Sequence, residues 1–371
     1  MKQGADSATD ARFMRLAIAL GRRGLGRVWP NPAVGCVVVR DGRIVGRGWT
    51  APGGRPHAET QALAQAGAAA RGATVYVSLE PCAHHGRTPP CAQALIAAGV
   101  ARVVTALTDP DPRVDGGGHA LLRAAGVDVI EGVEAAAARA ANAGFLSRVT
   151  RGRPWLTLKL ALTLDGRIAT ASGESRWITG PAARRAVHAM RATHDAVLVG
   201  AGTARADDPD LRVRDLGITW SGVRLVADSR LRVPTDSRLG LSARNAPVWM
   251  LHGDAAGAEP RAAWVGTGAE VIAVPEAAGG GLDPAAMLAT LGEKGLTRVL
   301  CEGGGALGGS LLHAGLVDEI AVFSAGKLIG AEGRPGLGPL GLDALAEAPR
   351  FHLTETRPLG EDLLHIWQRA P

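Results

Sequence analysis

With 371 residues and four cysteines, the chain is too long and too poor in cysteine for a secreted disulfide framework, and it has length for two domains of ~100 to 200 residues each. The first apolar run, LAIAL at 16 to 20, is broken at once by Gly21-Arg22-Arg23, and no window reaches the ~18 apolar residues of a membrane span, so a cytoplasmic protein is expected, with no signal peptide and no membrane contact. The net charge of +6 is diffuse, 41 basic against 35 acidic residues without a Lys/Arg block, which argues against a nucleic-acid partner and leaves scattered arginines for phosphate.

In chain order, residues 12 to 20 read as a helix, AVGCVVV at 33 to 39 as a strand, and Asp41-Gly42 as a tight turn into a second strand, RIVGRGW. An Ala-rich helix is expected from about His57 to Ala70, then a strand, TVYVSL at 74 to 79, on its alternation and β-branching. Helix 91 to 98, strand 102 to 107, helix 119 to 125, strand 127 to 130 and helix 134 to 144 complete an alternation that implies an α/β layer structure. RVTRGRP at 148 to 154, polar with Gly and Pro, reads as a linker between domains at 1–149 and 154–371. The second half restarts with WLTLKLALTLDGRIA, continues through helix 181 to 191 and strand 196 to 200, and alternates again to RVLCEGGG at 298 to 305. No repeat relates the halves, so each is expected to have its own task.

The segment EPCAHHGRTPPC at 80 to 91 holds Cys82 and Cys91. Taken alone, it fits a disulfide, a metal site or two unrelated thiols. His57-Ala58-Glu59 at the start of the Ala-rich helix decides for metal, because one imidazole and two thiolates are a ligand set that zinc favours and they leave a fourth position for water. This is the general zinc-deaminase pattern of H-x-E followed by P-C-x-x-C, here with eight residues between the cysteines rather than two. One zinc per chain is expected on His57, Cys82 and Cys91, with both sulfurs at helix N-termini that favour thiolate. Glu59 would serve as the proton shuttle beside a zinc-acidified water.

In the second half, Glu302-Gly303-Gly304-Gly305-Ala306-Leu307-Gly308 follows an expected strand and opens a helix, so its backbone N–H groups suit a dinucleotide pyrophosphate. The match to G-x-G-x-x-G is weak evidence so late in a chain, and a tight strand-to-helix turn is the plain alternative. Lys159, one of only four lysines, is a catalytic candidate that could polarise a ring-opened sugar, against a plain reading as a charge on a strand edge.

WPNPAVGCVV, HAE and EPCAHHGRTPPC resemble the deaminase half, and LKLALTLDGRIA, SGESRWITG, ADDPDLRVR and CEGGGALGGSLL the reductase half, of the bifunctional riboflavin-biosynthesis deaminase/reductase family. The resemblance covers nearly the whole chain. It implies a cytidine-deaminase-like three-layer α/β domain followed by a dihydrofolate-reductase-like α/β domain. The implied substrate is a pyrimidine ribonucleotide-like small molecule, 2,5-diamino-6-ribosylamino-4(3H)-pyrimidinone 5′-phosphate, deaminated at the 2-amino group and then reduced at the ribose by NADPH. His57, Cys82 and Cys91 match the zinc positions, Glu59 the proton shuttle and Asn31 a substrate contact. Ala161, Trp177, Thr203, Asp207, Ser229 and the stretch Gly304, Gly305, Ala306, Leu307, Gly308, Gly309 and Ser310 match NADPH contacts. Ser175, Arg191, Leu211, Arg214 and Glu302 match substrate contacts, and Asp207 joins Lys159 as a catalytic candidate. A plain alternative for Arg191 is a cap on its helix's C-terminus.

One position departs from the family pattern: Thr50 stands where relatives carry a histidine, and His84 or His85 is the candidate to fill that gap. A homo-oligomer is expected. Two rivals are a tRNA or mRNA deaminase, which would want a concentrated basic surface and the short cysteine spacing, and a non-catalytic zinc-stabilised module, which would close the site with a fourth protein ligand.

Overall fold

The computed structural model describes residues 2–83 and 89–370, so His84 and His85 lie outside the described residues. The chain divides into two compact units, Met1–Gly152 and Arg153–Pro371.

The first unit contains α1 (Lys2–Gly21), β1 (Gly35–Arg40), β2 (Arg43–Trp49), α2 (Ala58–Ala66), β3 (Thr74–Val77), α3 (Cys91–Ala97), β4 (Arg102–Thr105), α4 (Gly117–Ala124), β5 (Asp128–Ile130), α5 (Ala135–Ala141) and α6 (Ala143–Arg151). Its five-stranded sheet has the order β2-β1-β3-β4-β5, with β1 antiparallel to β2 and β3, and β3, β4 and β5 parallel. Asp41 and Gly42 turn the β1–β2 hairpin with φ of 50° and 72°, the left-handed pair that an Asp-Gly turn supplies. Met14, Val37, Val75, Val103 and Leu122 centre one buried core of helices on sheet. Gly48 sets the position of α2: a Cβ there would lie 2.1 Å from the Ala58 carbonyl oxygen, so the helix start rests directly on β2.

Three expectations are corrected here. The helix from His57 ends at Ala66 and passes into a 3-10 turn over Gly67–Ala70, with Gly67 left-handed at φ 53°. The helix expected over 134 to 144 is two, broken at Asn142, whose Oδ1 accepts the Ala33 N–H at 3.1 Å. The stretch expected as linker from 148 is still helix to Arg151 and stops at left-handed Gly152, because polarity alone does not end a helix whose other face, at Phe145, Leu146 and Val149, packs on the core.

The second unit contains β6 (Trp155–Thr163), β7 (Arg167–Ala169), α7 (Pro181–Ala192), β8 (Ala196–Gly200), α8 (Ala201–Asp207), β9 (Val223–Ala227), α9 (Arg238–Leu241), β10 (Val248–His252), α10 (Ala258–Thr267), β11 (Glu270–Ala273), α11 (Pro284–Glu293), β12 (Arg298–Cys301), α12 (Gly305–His313), β13 (Glu319–Ala325), β14 (Arg334–Pro335), β15 (Phe351–Leu359) and β16 (Asp362–Arg369). Nine strands form one sheet in the order β11-β10-β9-β8-β12-β6-β13-β16-β15, parallel from β11 to β13 and antiparallel through the last hairpin. After β6 the chain builds β8 to β11 outward and returns to insert β12 between β8 and β6. Such a reversal of strand order opens a crevice at the carboxyl ends of the strands, the usual ligand position in an α/β sheet.

Candidate functional site

The metal-ligand candidates meet where two helices begin. His57 is the extended residue before α2, Cys91 is the first residue of α3, and Cys82 lies in the loop after β3. His57 Nδ1 is 3.3 Å from Cys91 Sγ and 3.7 Å from Cys82 Sγ, and the three donor atoms all lie within 4.8 Å of one another. No fourth His, Cys or carboxylate joins this group among the described residues, so the donor set fits a zinc ion with an open coordination position. Cys82 Sγ accepts the Cys91 N–H at 3.3 Å and its carbonyl the Ala92 N–H at 3.2 Å, which ties the loop to the start of α3.

A hydrogen bond from Cys91, opposed by burial and helped by His57, brings the Cys82 thiol down to about 4. The same bond, with burial and the Glu59 charge, pushes Cys91 up. Of the two sulfurs expected at helix N-termini, Cys91 opens α3, whereas Cys82 lies in the loop after β3 and reaches a helix start only by accepting the Cys91 N–H. Glu59, in the first turn of α2 and 4% exposed, has its carboxyl raised by burial.

The neighbouring PNP turn is fixed by three buried side chains from three other segments. The Ala33, Val34 and Gly35 N–H groups donate to Asn142 Oδ1, Thr50 Oγ1 and Ser78 Oγ at 3.1, 3.0 and 3.0 Å. Thr50 also donates to the Pro32 carbonyl at 3.0 Å. The Thr50 hydroxyl, at the position read in sequence as a departure from the family pattern, is therefore used to lock this turn. Asn31, half-buried, is held against left-handed Gly54, where a Cβ would come 2.0 Å from its Nδ2.

Glu80 was missed as a candidate. Its carboxylate accepts the N–H groups of Asp109, Gly116, Gly118 and His119 at 3.1, 3.0, 2.8 and 3.2 Å, so it pins the segment 109–119 two residues before Cys82. The signal was a buried-type carboxylate beside Pro81-Cys82 in EPC, but its four partners are 29 to 39 residues away.

In the second unit Lys159, in the middle of β6, faces charges from Arg191 on α7, Asp207 on α8 and Glu302 just after β12. Lys159 lies on β6, which sits between β12 and β13, so the edge-strand alternative is wrong; pairing on both sides is a tertiary fact that sequence does not carry. Burial lowers its ammonium, and Arg191 adds to this, while the Glu302 and Asp207 carboxylates oppose it. Arg191 grips Glu302 with two bonds, Nε to Oε1 at 2.6 Å and Nη2 to Oε2 at 3.0 Å, and donates a third to the Arg212 carbonyl at 2.9 Å. It is not a cap on its own helix. Burial raises the Glu302 carboxyl, and Arg191 and Lys159 more than reverse this, leaving it lowered.

Thr203 on α8 accepts the Gly304 N–H at 2.9 Å, and a Cβ on Gly303 would lie 2.8 Å from the Gly200 nitrogen, so the turns after β8 and β12 touch. Gly304 precedes α12, and Gly305, Ala306, Leu307, Gly308, Gly309 and Ser310 form its first turns with no capping side chain. Ala161 lies two residues beyond Lys159 on the same face of β6. Trp177 is 62% exposed with the Arg184 guanidinium 4.5 Å from its ring, and the Asp207 carbonyl accepts from Arg176 at 2.9 Å. Leu211, left-handed at φ 60°, has its side chain 3% exposed in the core, which leaves only its backbone for a ligand. The Arg214 N–H donates to His188 Nδ1 at 3.2 Å. Ser175 is half-buried near Trp177, and Ser229 follows β9, two strands from β12, with its carbonyl accepting from Gly253 at 2.9 Å. No hydrogen bond joins either serine to the Lys159 cluster among the described residues.

No helix of the described residues is long and apolar enough to cross a membrane. Residues 7–107 match the family model for the cytidine and deoxycytidylate deaminase zinc-binding region, and residues 154–365 that for the RibD C-terminal domain. The chain is 45% identical to the riboflavin biosynthesis protein RibD of Escherichia coli K12, over 96% of this chain and 99% of the relative. To RibD of Aquifex aeolicus it is 40% identical, over 97% and 98%. A solved structure of Acinetobacter baumannii RibD superimposes with a TM-score of 0.86 at 37% identity, covering 98% of this chain and all of that one. A Thermotoga maritima structure described as a diaminohydroxyphosphoribosylaminopyrimidine deaminase/5-amino-6-(5-phosphoribosylamino)uracil reductase gives 0.86 at 34% identity, again covering 98% of this chain. Two centres of different chemistry, one built for zinc and one at the switch point of a parallel sheet, thus coincide with the two halves of one known enzyme, and the chain belongs to the RibD family, the bifunctional zinc-dependent deaminases and NADPH-dependent reductases of riboflavin biosynthesis.

Proposed function

We propose that residues 1–149 carry the deamination and residues 154–371 the reduction, at two separate sites. The observation that carries this reading is the convergence of His57, Cys82 and Cys91 donor atoms within 4.8 Å beside buried Glu59, in a unit that contains none of the Lys159 cluster. His57, Cys82 and Cys91 hold the zinc, which supplies an acidified water as nucleophile. Glu59 takes the water's proton at its carboxylate and delivers it to the departing 2-amino group of the diaminopyrimidine; its burial excludes bulk water from that transfer. Asn31, fixed by the PNP turn, orients the base.

In the second site NADPH supplies hydride to C1′ of the ring-opened ribose. In the stretch Gly304 to Ser310 the first-turn N–H groups of α12, those of Gly305, Ala306 and Leu307, face the cofactor's phosphates, with Thr203, Asp207, Ala161, Trp177 and Ser229 along it. Lys159 and Asp207 flank the reacting carbon and carry its charge change, while Ser175, Arg191, Leu211, Arg214 and Glu302 hold the sugar phosphate; forked guanidinium donors suit that anion. The diffuse charge supports a small-molecule substrate and no nucleic-acid partner, and the cysteine usage a cytoplasmic location; we propose a homo-oligomer. Metal analysis with Glu59→Ala tests the zinc assignment: zinc retained with ammonia release lost is expected, and loss of zinc in this variant would make Glu59 a ligand.

A further inference from the structure

The face of α7 toward the second site grips the chain segment 212–215 at three points. Arg185, His188 and Arg191, three residues apart and so on one stripe of the helix, meet Asp215, Arg214 and Arg212 in turn. Arg185 Nη1 donates to the Asp215 carbonyl at 2.9 Å, His188 Nδ1 accepts the Arg214 N–H at 3.2 Å, and Arg191 Nη1 donates to the Arg212 carbonyl at 2.9 Å. The segment needs such a grip, because Leu211 just before it and Asp215 at its end are left-handed at φ 60° and 61°, a conformation that costs energy for side chains of this kind. Arg191 is itself fixed by Glu302. The one neutral contact of the three is the imidazole. A ring nitrogen that accepts must be unprotonated, so the His188 proton is on Nε2. Burial, followed by the Arg191 and Arg214 charges, lowers this histidine against the pull of Glu302 and Asp215, which keeps the accepting tautomer available.

We propose that His188 is a positioning residue of the reductase site, which sets affinity for the phosphorylated substrate by holding the backbone of Arg214. The proposal rests on the reading of Arg214 as a substrate contact. It differs from a general packing role in two ways: the acceptor at the Nδ1 position is what matters, and the effect passes through one side chain.

The test uses the full chain, NADPH and the deaminated ribosylamino-uracil phosphate. His188→Ala raises KM for that substrate about tenfold, the worth of one such hydrogen bond, with kcat within about twofold and KM for NADPH unchanged. His188→Asn, whose Oδ1 can stand near Nδ1, restores KM, and His188→Gln, whose amide reaches toward the Nε2 position, does not. In an Arg214→Ala background, His188→Ala adds nothing further. A wild-type KM in folded His188→Ala overturns the proposal, as does equal rescue by Gln and Asn, or effects that multiply with Arg214→Ala. If Arg214→Ala alone leaves KM unchanged, the substrate reading beneath fails and the proposal with it.

Discussion

The two centres are organised in opposite ways. The zinc site draws its ligands from two short motifs, and each ligand is anchored by the backbone at the start of a helix, so its donor atoms already converge within 4.8 Å. The reductase centre gathers Lys159, Arg191, Asp207 and Glu302 from four segments spread over 143 residues, and they meet only because β12 inserts between β8 and β6. A site of the first kind fails at once when a ligand is lost. One of the second kind, held by charges on a strand, two helices and a turn, degrades in steps.

Cys82→Ser tests that contrast most severely. It is expected to empty the zinc site and reduce ammonia release by about a thousandfold or more, with NADPH oxidation on the supplied intermediate within about twofold. Metal content and the two rates on one preparation give the answer. For the second site, Lys159→Ala is expected to lower kcat for reduction by about a hundredfold, the scale of losing one preorganised charge, while zinc content and deamination stay at wild type. Because burial lowers the Lys159 ammonium, with Arg191 assisting, the wild-type reductase should lose rate on the alkaline side below 10.5, and a pH profile of kcat reads this directly.

A smaller effect is expected at the cofactor's far end. If the exposed Arg230 beside Ser229 binds a 2′-phosphate, as the proposed cofactor path past Ser229 implies, Arg230→Ala should narrow the preference for NADPH over NADH by about tenfold in kcat/KM without touching ammonia release. Equal use of both cofactors by the parent chain would remove Ser229 and Arg230 from the site. The smallest change is expected for Glu80→Gln, which replaces an acceptor of four N–H groups by one with half its acceptor capacity. About 2 kcal/mol of stability should be lost and zinc held less tightly, as measured by thermal melts and chelator competition.

The sequence was legible where local chemistry decides. HAE and PC place zinc ligands because ligand types and spacing are themselves the signal, and Asp41-Gly42 marks a hairpin because few other pairs tolerate its backbone. It was poor where packing decides. The Ala-rich run from 134 carries no periodic stripe, so nothing marks Asn142 as the break that caps the Ala33 N–H. Lys159 could not be placed at the centre of a sheet from its own strand, nor Arg191 on Glu302 across 111 residues. Thr50 reads in sequence as a missing imidazole, and only the structure shows its hydroxyl joining Pro32 to Val34. The linker expected at 148 illustrates the same limit, since the buried face of α6 outweighs a polar composition.

The claim that two independent sites share the chain is tested most directly by Glu59→Ala supplied with the deaminated intermediate. The account predicts no ammonia from the diaminopyrimidine and NADPH oxidation at the parent rate, with an unchanged thermal melt. A folded Glu59→Ala protein that fails to reduce the supplied intermediate would contradict it and require one shared active site.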